Sequence, residues 1–253
     1  MDENDIRFKV AASRRMLYRE GCDSTVGGHV SARDAEDPNA FWISPFEYFD
    51  ETTPDRVVKL DMDLNPLEGD WEPSPAAAFH AALYQGRPDV GSVIHTHSFY
   101  ASLLATTGRE VGQYNVASVL YWNEQVLYAD DGTKPPVYGP DMVKLLGDKS
   151  VILIKNHGAI VLDDTLEKTT IKAMVLETAC QYHIEAEKIG GTEFPEAEVV
   201  RGKKAYQQYF LPNMWKANFR RLRKSDPDLF AWLDDQDRAS TGAASTRAAV
   251  TSP

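Results

Sequence analysis

Only two cysteines, Cys22 and Cys180, occur in 253 residues, which excludes a disulfide scaffold and leaves no paired Cys spacing for a zinc ribbon or finger. Both are expected to be buried free thiols. The chain also has no run approaching the roughly 20 apolar residues of a membrane-crossing helix. Its opening segment, MDENDIRFKVAASRRM, is charged and amphipathic and lacks the apolar stretch of a signal peptide. A cytoplasmic protein with no membrane partner is therefore expected. Basic runs are missing as well: 27 Lys and Arg stand against 38 Asp and Glu, a formal charge of −11. That leaves no face for a phosphate backbone, and nucleic acid is not expected as a partner. The Gly27-Gly28 pair is too short for a nucleotide-binding loop, and we find no internal repeat. In so acidic a chain, a small anionic substrate must be drawn in by local charge, from a metal ion or a few histidines and arginines.

What is present is ordinary globular material, 43% hydrophobic and 26% charged, enough to bury one full core. We expect a single domain over residues 1–235. A small, polar tail over 236–253, ending STGAASTRAAVTSP, has nothing to bury and is expected to be disordered. Periodicity and breakers predict a helix over 4–19 closed by Gly21, then short strands near 29–32, 41–44 and 57–60. Ser74 as N-cap and Pro75 at the first position predict a helix over 76–85. A buried strand over 90–97 and a helix over 99–106 follow. Residues 109–139 show no clear pattern. Beyond them come a helix over 140–146, strands over 151–155 and 158–162 around the turn Asn156-His157-Gly158, a long helix from Thr165 to about 189, and a helical stretch over 206–232.

The chemistry concentrates in histidine. His95 and His97 are two apart on a predicted strand, so their side chains share a face and can converge on one point. His157, far along the chain, ends another predicted strand and can supply a third imidazole. Three neutral imidazoles leave coordination positions open, the arrangement of a catalytic and not a closed structural metal site. They do not by themselves choose among Zn, Mn, Co and Fe.

The segments GGHVSARD, AAAFHAALYQGRPDVGSVIHTHS and LIKNHGAIVLDDTLEKT, in this order over about residues 6 to 190, resemble the class II aldolase/adducin family. The resemblance implies a three-layer α/β/α sandwich around a mixed, mainly antiparallel sheet. It also implies a homotetramer with interfacial active sites, and a divalent metal ion held by His95, His97 and His157. Departures from the family pattern carry information too. Sugar-phosphate aldolases of the family place an acidic residue four positions before the histidine matching His80, where this chain has Ala76. The turns that cradle phosphate in them read here as Gly28-His29, Ser44-Pro45-Phe46-Glu47 and Ser74-Pro75. A glutamate in such a turn adds like charge, which disfavours a phosphate dianion.

These departures suggest a carbon–carbon lyase, foremost a decarboxylase of a hydroxylated aromatic or ring-derived carboxylate. Decarboxylation needs an electron sink and a later proton donor but no base at carbon. His29 is the expected donor, since the ordinary histidine pKa lies near working pH. His80 and Tyr121 are further candidate catalytic residues, and Ser44, Ser74 and His29 candidate substrate contacts. Tyr100 and Tyr114 share with Tyr121 the possibility of matching the tyrosine that aldolases use as an acid. Arg33 and Arg109 are expected to be surface or interface residues and not substrate clamps, and His183 to be structural or exposed. The alternatives are an aldolase, dehydratase or epimerase acting on a sugar or sugar acid, and a non-haem iron oxygenase. A non-enzymatic adducin-type scaffold ranks last, because the three ligands are intact.

Overall fold

Short strands buried on both faces, not one long apolar run, build the centre of the molecule. The computed structural model describes residues 3–234; the expected tail over 236–253 lies outside them. Helix α1 (Ile6–Arg19) begins at Asp5, whose carboxylate accepts from Arg7 N, and stops where Gly21 takes a positive φ. Strands β1 (His29–Arg33), β2 (Ala40–Ile43), β3 (Val58–Asp61) and β4 (Pro66–Glu68) follow as a meander. Helix α2 (Ala77–Gly86), β5 (Ser92–Thr96), α3 (Phe99–Ala105), β6 (Gln125–Tyr128), α4 (Gly139–Leu146), β7 (Val151–Ile154) and β8 (Gly158–Asp163) come next, and then α5 (Leu166–Lys188). Helix α6 (Glu196–Ala205) runs through a π-helical turn, Tyr206–Phe210, into α7 (Leu211–Ser225).

The eight strands form one sheet in the order β4-β3-β2-β1-β5-β8-β7-β6, antiparallel throughout except for the parallel pair β6 and β7. Its two faces carry separate cores. Val30, Ala32, Ile94, Leu153 and Val161 face α1, α3, α5 and α7, whereas Phe41, Ile43, Val93, Ile152, Ile160 and Leu162 face α2 and α4. Period-two alternation sends neighbouring residues to opposite layers, and the result is the three-layer sandwich that the sequence implied. Helix α7 is fastened by an aromatic cluster in which Phe8 meets Phe219 and Phe230 edge-on, with ring centroids 6.1 and 5.3 Å apart.

Several boundaries differ from expectation. Helix α2 starts one residue late, with Ala76 at the cap and no side-chain bond there; Ser74 Oγ accepts from Ala76 N instead. Strand β4, strand β6 and helix α6 carried no recognised signal. The stretch read as helical over 206–232 opens on the π-helical turn and breaks at Asp226, where α7 is capped.

No helix among the described residues is long and apolar enough to cross a membrane. Both cysteines are buried and unpaired.

Candidate metal centre

Strand β5 lies between β1 and β8, with His95 opposite His29 on one side and opposite Ile160 on the other. This register brings together residues more than sixty positions apart. His95 is buried, and its Nδ1–H donates to the Ala159 carbonyl at 2.9 Å, which commits the Nε2 lone pair to the interior of the site. His97 continues the same face just past the strand end, and its Nε2 lies 2.9 Å from His95 Nε2. His157 enters from the β7–β8 turn, where Asn156 adopts a positive φ of 58°. Its ring centroid stands 5.1 Å from that of His95 and 4.7 Å from that of His97. One nitrogen from each of the three rings lies within 4.8 Å of the others, a span that one ion with bonds of about 2 Å can bridge.

The donor set suits a borderline divalent ion. Burial, the first cause in each case, pushes all three histidines below their ordinary pKa, His97 to about 4. The rings are therefore neutral near pH 7 and their lone pairs are available to a cation. No carboxylate joins this cluster among the described residues.

Beside the three rings stands a hydrogen-bonded chain. His29 Nδ1 lies 3.2 Å from His80 Nε2, and His80 Nδ1 lies 2.7 Å from Ser31 Oγ. Ser31 Oγ is 2.7 Å from the Tyr84 hydroxyl and 3.3 Å from the Val93 carbonyl oxygen. All four side chains are buried. The His29 ring sits 5.1 Å from His95, centroid to centroid, so this chain ends against the metal-ligand cluster. Sequence reading reached His29 and His80 but missed Ser31 and Tyr84. The signal was there: Ser31 follows His29 by two on a strand and Tyr84 follows His80 by four on a helix, each spacing sharing a face.

Four expectations about individual side chains need revision. His29 is not poised to titrate near working pH: burial first, then the neighbouring His80 and Arg14, hold it well below the ordinary value. Ser44 is sealed from solvent. It accepts from the fully buried Arg14 at 2.7 Å and from Val30 N at 3.2 Å, so its hydroxyl serves the loop and not an open pocket. Tyr121 lies in the core on the α1/α3/α5/α7 face, the opposite face of the sheet from His29 and His80, and its hydroxyl donates to the Lys172 carbonyl at 2.6 Å. The structure does not bring it to the histidines. Glu47 does not stand as an uncompensated charge, because Arg56 meets it at 2.7 Å. Ser74 is buried beside the loop 44–47 through the Pro45–Pro73 bridge. His183 is buried and accepts from Gly112 N at 2.9 Å; Arg33 donates to four backbone carbonyls, and Arg109 pairs with Glu187.

Comparison with known proteins places the family and the fold. Residues 8–184 match the model of the class II aldolase and adducin N-terminal domain. The chain is 29% identical over 189 residues to the meiotically up-regulated gene 14 protein of Schizosaccharomyces pombe, covering 72% of this chain and 74% of that one. It is 26% identical over 239 residues to decarboxylase NovR of Streptomyces niveus, covering 88% and 86%. The structure of L-fuculose 1-phosphate aldolase from Glaciozyma antarctica superposes with a TM-score of 0.77 at 22% identity, covering 86% of this chain and 90% of the other, a likeness of fold.

Proposed function

The chain belongs to the class II aldolase and adducin family, and from that premise we propose that it is a metal-dependent carboxy-lyase acting on a hydroxylated aromatic or ring-derived carboxylate. The family placement supports a lyase in general. One observation carries the narrower reading: a neutral histidine chain packs against the three imidazoles, and no carboxylate joins them among the described residues, Asp130 acting on His157 only through its charge while it accepts from Val137 N. Ala76 has no acid–base function, and the Glu47 carboxylate is held by Arg56. An aldol cleavage or epimerisation needs a base strong enough to take a proton from oxygen or carbon. Loss of CO₂ needs none at carbon: the C–C bond to the carboxylate breaks, its electron pair moves into the substrate's conjugated system, and a proton is then returned to carbon.

A divalent ion held by His95, His97 and His157 would supply the Lewis acidity that makes the substrate an electron sink. The protein's own part is orientation and hydrogen bonding to the substrate. Where the Tyr84 hydroxyl donates to Ser31, the single Ser31 proton goes either to the Val93 carbonyl or to His80 Nδ1. That choice fixes both imidazole tautomers in turn, so His29 Nε2 presents either a lone pair or an N–H without acquiring charge. In the second state it hydrogen-bonds the substrate as a neutral donor, consistent with its lowered pKa, and the proton returned to carbon is supplied by solvent after CO₂ leaves. The overall match to a relative named as a decarboxylase supports the same reading.

We also read the assembly as a homotetramer with sites at subunit interfaces. Phe99, two residues after His97, is 67% exposed, as is Val116; large apolar groups so placed suit coverage by a second copy. Sedimentation or light scattering checks the assembly.

The test of the activity is metal content of protein purified without added metals, together with CO₂ release and O₂ uptake on a panel of ortho-hydroxy and dicarboxylic aromatic acids. Chelator-sensitive CO₂ release without O₂ uptake is expected. O₂ uptake with bound iron would replace this reading by an oxygenase, and inertness toward every acid together with cleavage of a sugar or sugar acid would replace it by an aldolase.

A further inference from the structure

His97 lies one residue beyond β5, outside the ladder that holds His95, and its ring is only half-buried. Something other than the sheet must fix it. Two glycines stand against opposite edges of the imidazole. A Cβ at Gly27 would lie 2.9 Å from His97 Cε1 and 3.1 Å from Nδ1, while a Cβ at Gly158 would lie 3.0 Å from Cδ2. Both are closer than ordinary side-chain contact allows, so the ring fits only because these positions carry no side chain. The backbone is held as well: His97 N donates to the buried Ser24 hydroxyl at 2.6 Å.

Ser24 and Gly27 belong to a turn that is itself over-determined. Gly27 N donates to Ser24 O at 3.0 Å, Thr25 N donates to Asp23 Oδ1 at 3.1 Å, and Thr25 takes a φ of 54°. A β-branched residue in the left-handed region costs conformational energy, and such strain persists only where surrounding bonds impose it. The same turn leads through Gly28, where a Cβ would strike Phe49 and Ser24, directly into His29.

We propose that the 23–28 turn, closed from the other side by Gly158, is a backbone clamp that positions His97 and so sets the metal affinity of the centre. Ser24, Gly27 and Gly158 are positioning residues; none is itself a ligand. The inference rests on the reading of His95, His97 and His157 as a metal site and adds what holds in place the ligand that lies just past the end of β5. Because the clamp and His29 share one segment, a shift of the turn moves a ligand and the adjoining proton-carrying group together.

The experiment uses full-length protein stripped with chelator and titrated with Co(II), read by calorimetry and by the visible ligand-field spectrum, with melting in chelator measured alongside. Gly27→Ala places a methyl against a side-chain ring that can swing away, so the metal-free fold should survive. Co(II) affinity should fall about 10- to 100-fold, as for other residues that orient a ligand, and the spectrum should change. Ser24→Ala should weaken binding in the same direction, and Ser24→Thr, which keeps the hydroxyl, should recover it. Gly158→Ala would not discriminate, because its Cβ would also meet the Thr96 carbonyl oxygen, a backbone clash that threatens the fold. If Gly27→Ala does not fold, Ser24→Ala and Ser24→Thr carry the test. Wild-type affinity in folded Gly27→Ala or Ser24→Ala protein would overturn the clamp while leaving the metal site standing. A wild-type protein that binds no Co(II) would instead overturn the metal reading itself.

Discussion

Replacing His97 by Ala removes one of three imidazoles whose nitrogens lie within 4.8 Å of one another. The expected outcome is protein purified with little bound metal and no activity, checked by elemental analysis; full metal occupancy would contradict the site. Ala76→Glu tests the other side of the argument. It restores the acid that sugar-phosphate members of the family carry, and if the site is built for a chelating carboxylate the added charge should lower turnover of aromatic acids at least about tenfold, by like-charge repulsion. At this scale the ligands were legible in the sequence because i, i+2 spacing on a strand is a geometric statement. Tyr121 and Ser44 were not, since nothing in their local sequence says on which side of the sheet the 3₁₀ turn Ser118–Tyr121 packs, or that Arg14 from α1 would occupy Ser44. The buried guanidinium is a long-range partner, thirty positions away.

Helix α3 begins two residues after His97 and has only 7 residues, too few to hold itself together. Its nominal cap, Ser98, makes no capping bond. The Glu177 carboxylate of α5 does so instead, accepting from Tyr100 N at 2.8 Å and from Ala101 N at 2.9 Å. An anion at a helix N-terminus satisfies orphan donors and the dipole together. Glu177→Ala should therefore cost about 2–3 kcal/mol, in the range of charge-assisted bonds, and Glu177→Gln roughly half as much, read from urea unfolding of metal-free protein. Equal stability of all three would remove the carboxylate from this role. Long amphipathic or buried elements such as α1, α5, β5 and β8 were readable from periodicity and caps. Strands β4 and β6 were not: β4 is a three-residue exposed edge, and β6 gains its identity only by pairing parallel to β7 across a stretch without local pattern.

All six histidines of the chain are held below the ordinary pKa in the folded protein, with burial the first cause each time. The unfolded chain, titrating near pH 6.5, then binds more protons than the native one, so stability rises with pH in that window. Metal-free protein should be fully stabilised above about pH 6.5 and lose stability as pH falls toward about 4, where His97 itself takes a proton. Urea midpoints in chelator between about pH 7 and pH 5 check this; a flat profile would mean that the histidines are not buried as neutral rings. The register of β5 against β8 has one more consequence, in time and not in energy. His95 and His157 meet only after β8 has closed onto a strand formed more than sixty residues earlier, and contacts so distant along the chain form late in folding. Arrival of the ion at its three nitrogens, followed by stopped-flow Co(II) absorbance during refolding, would thus mark the moment at which the centre of the sheet is complete.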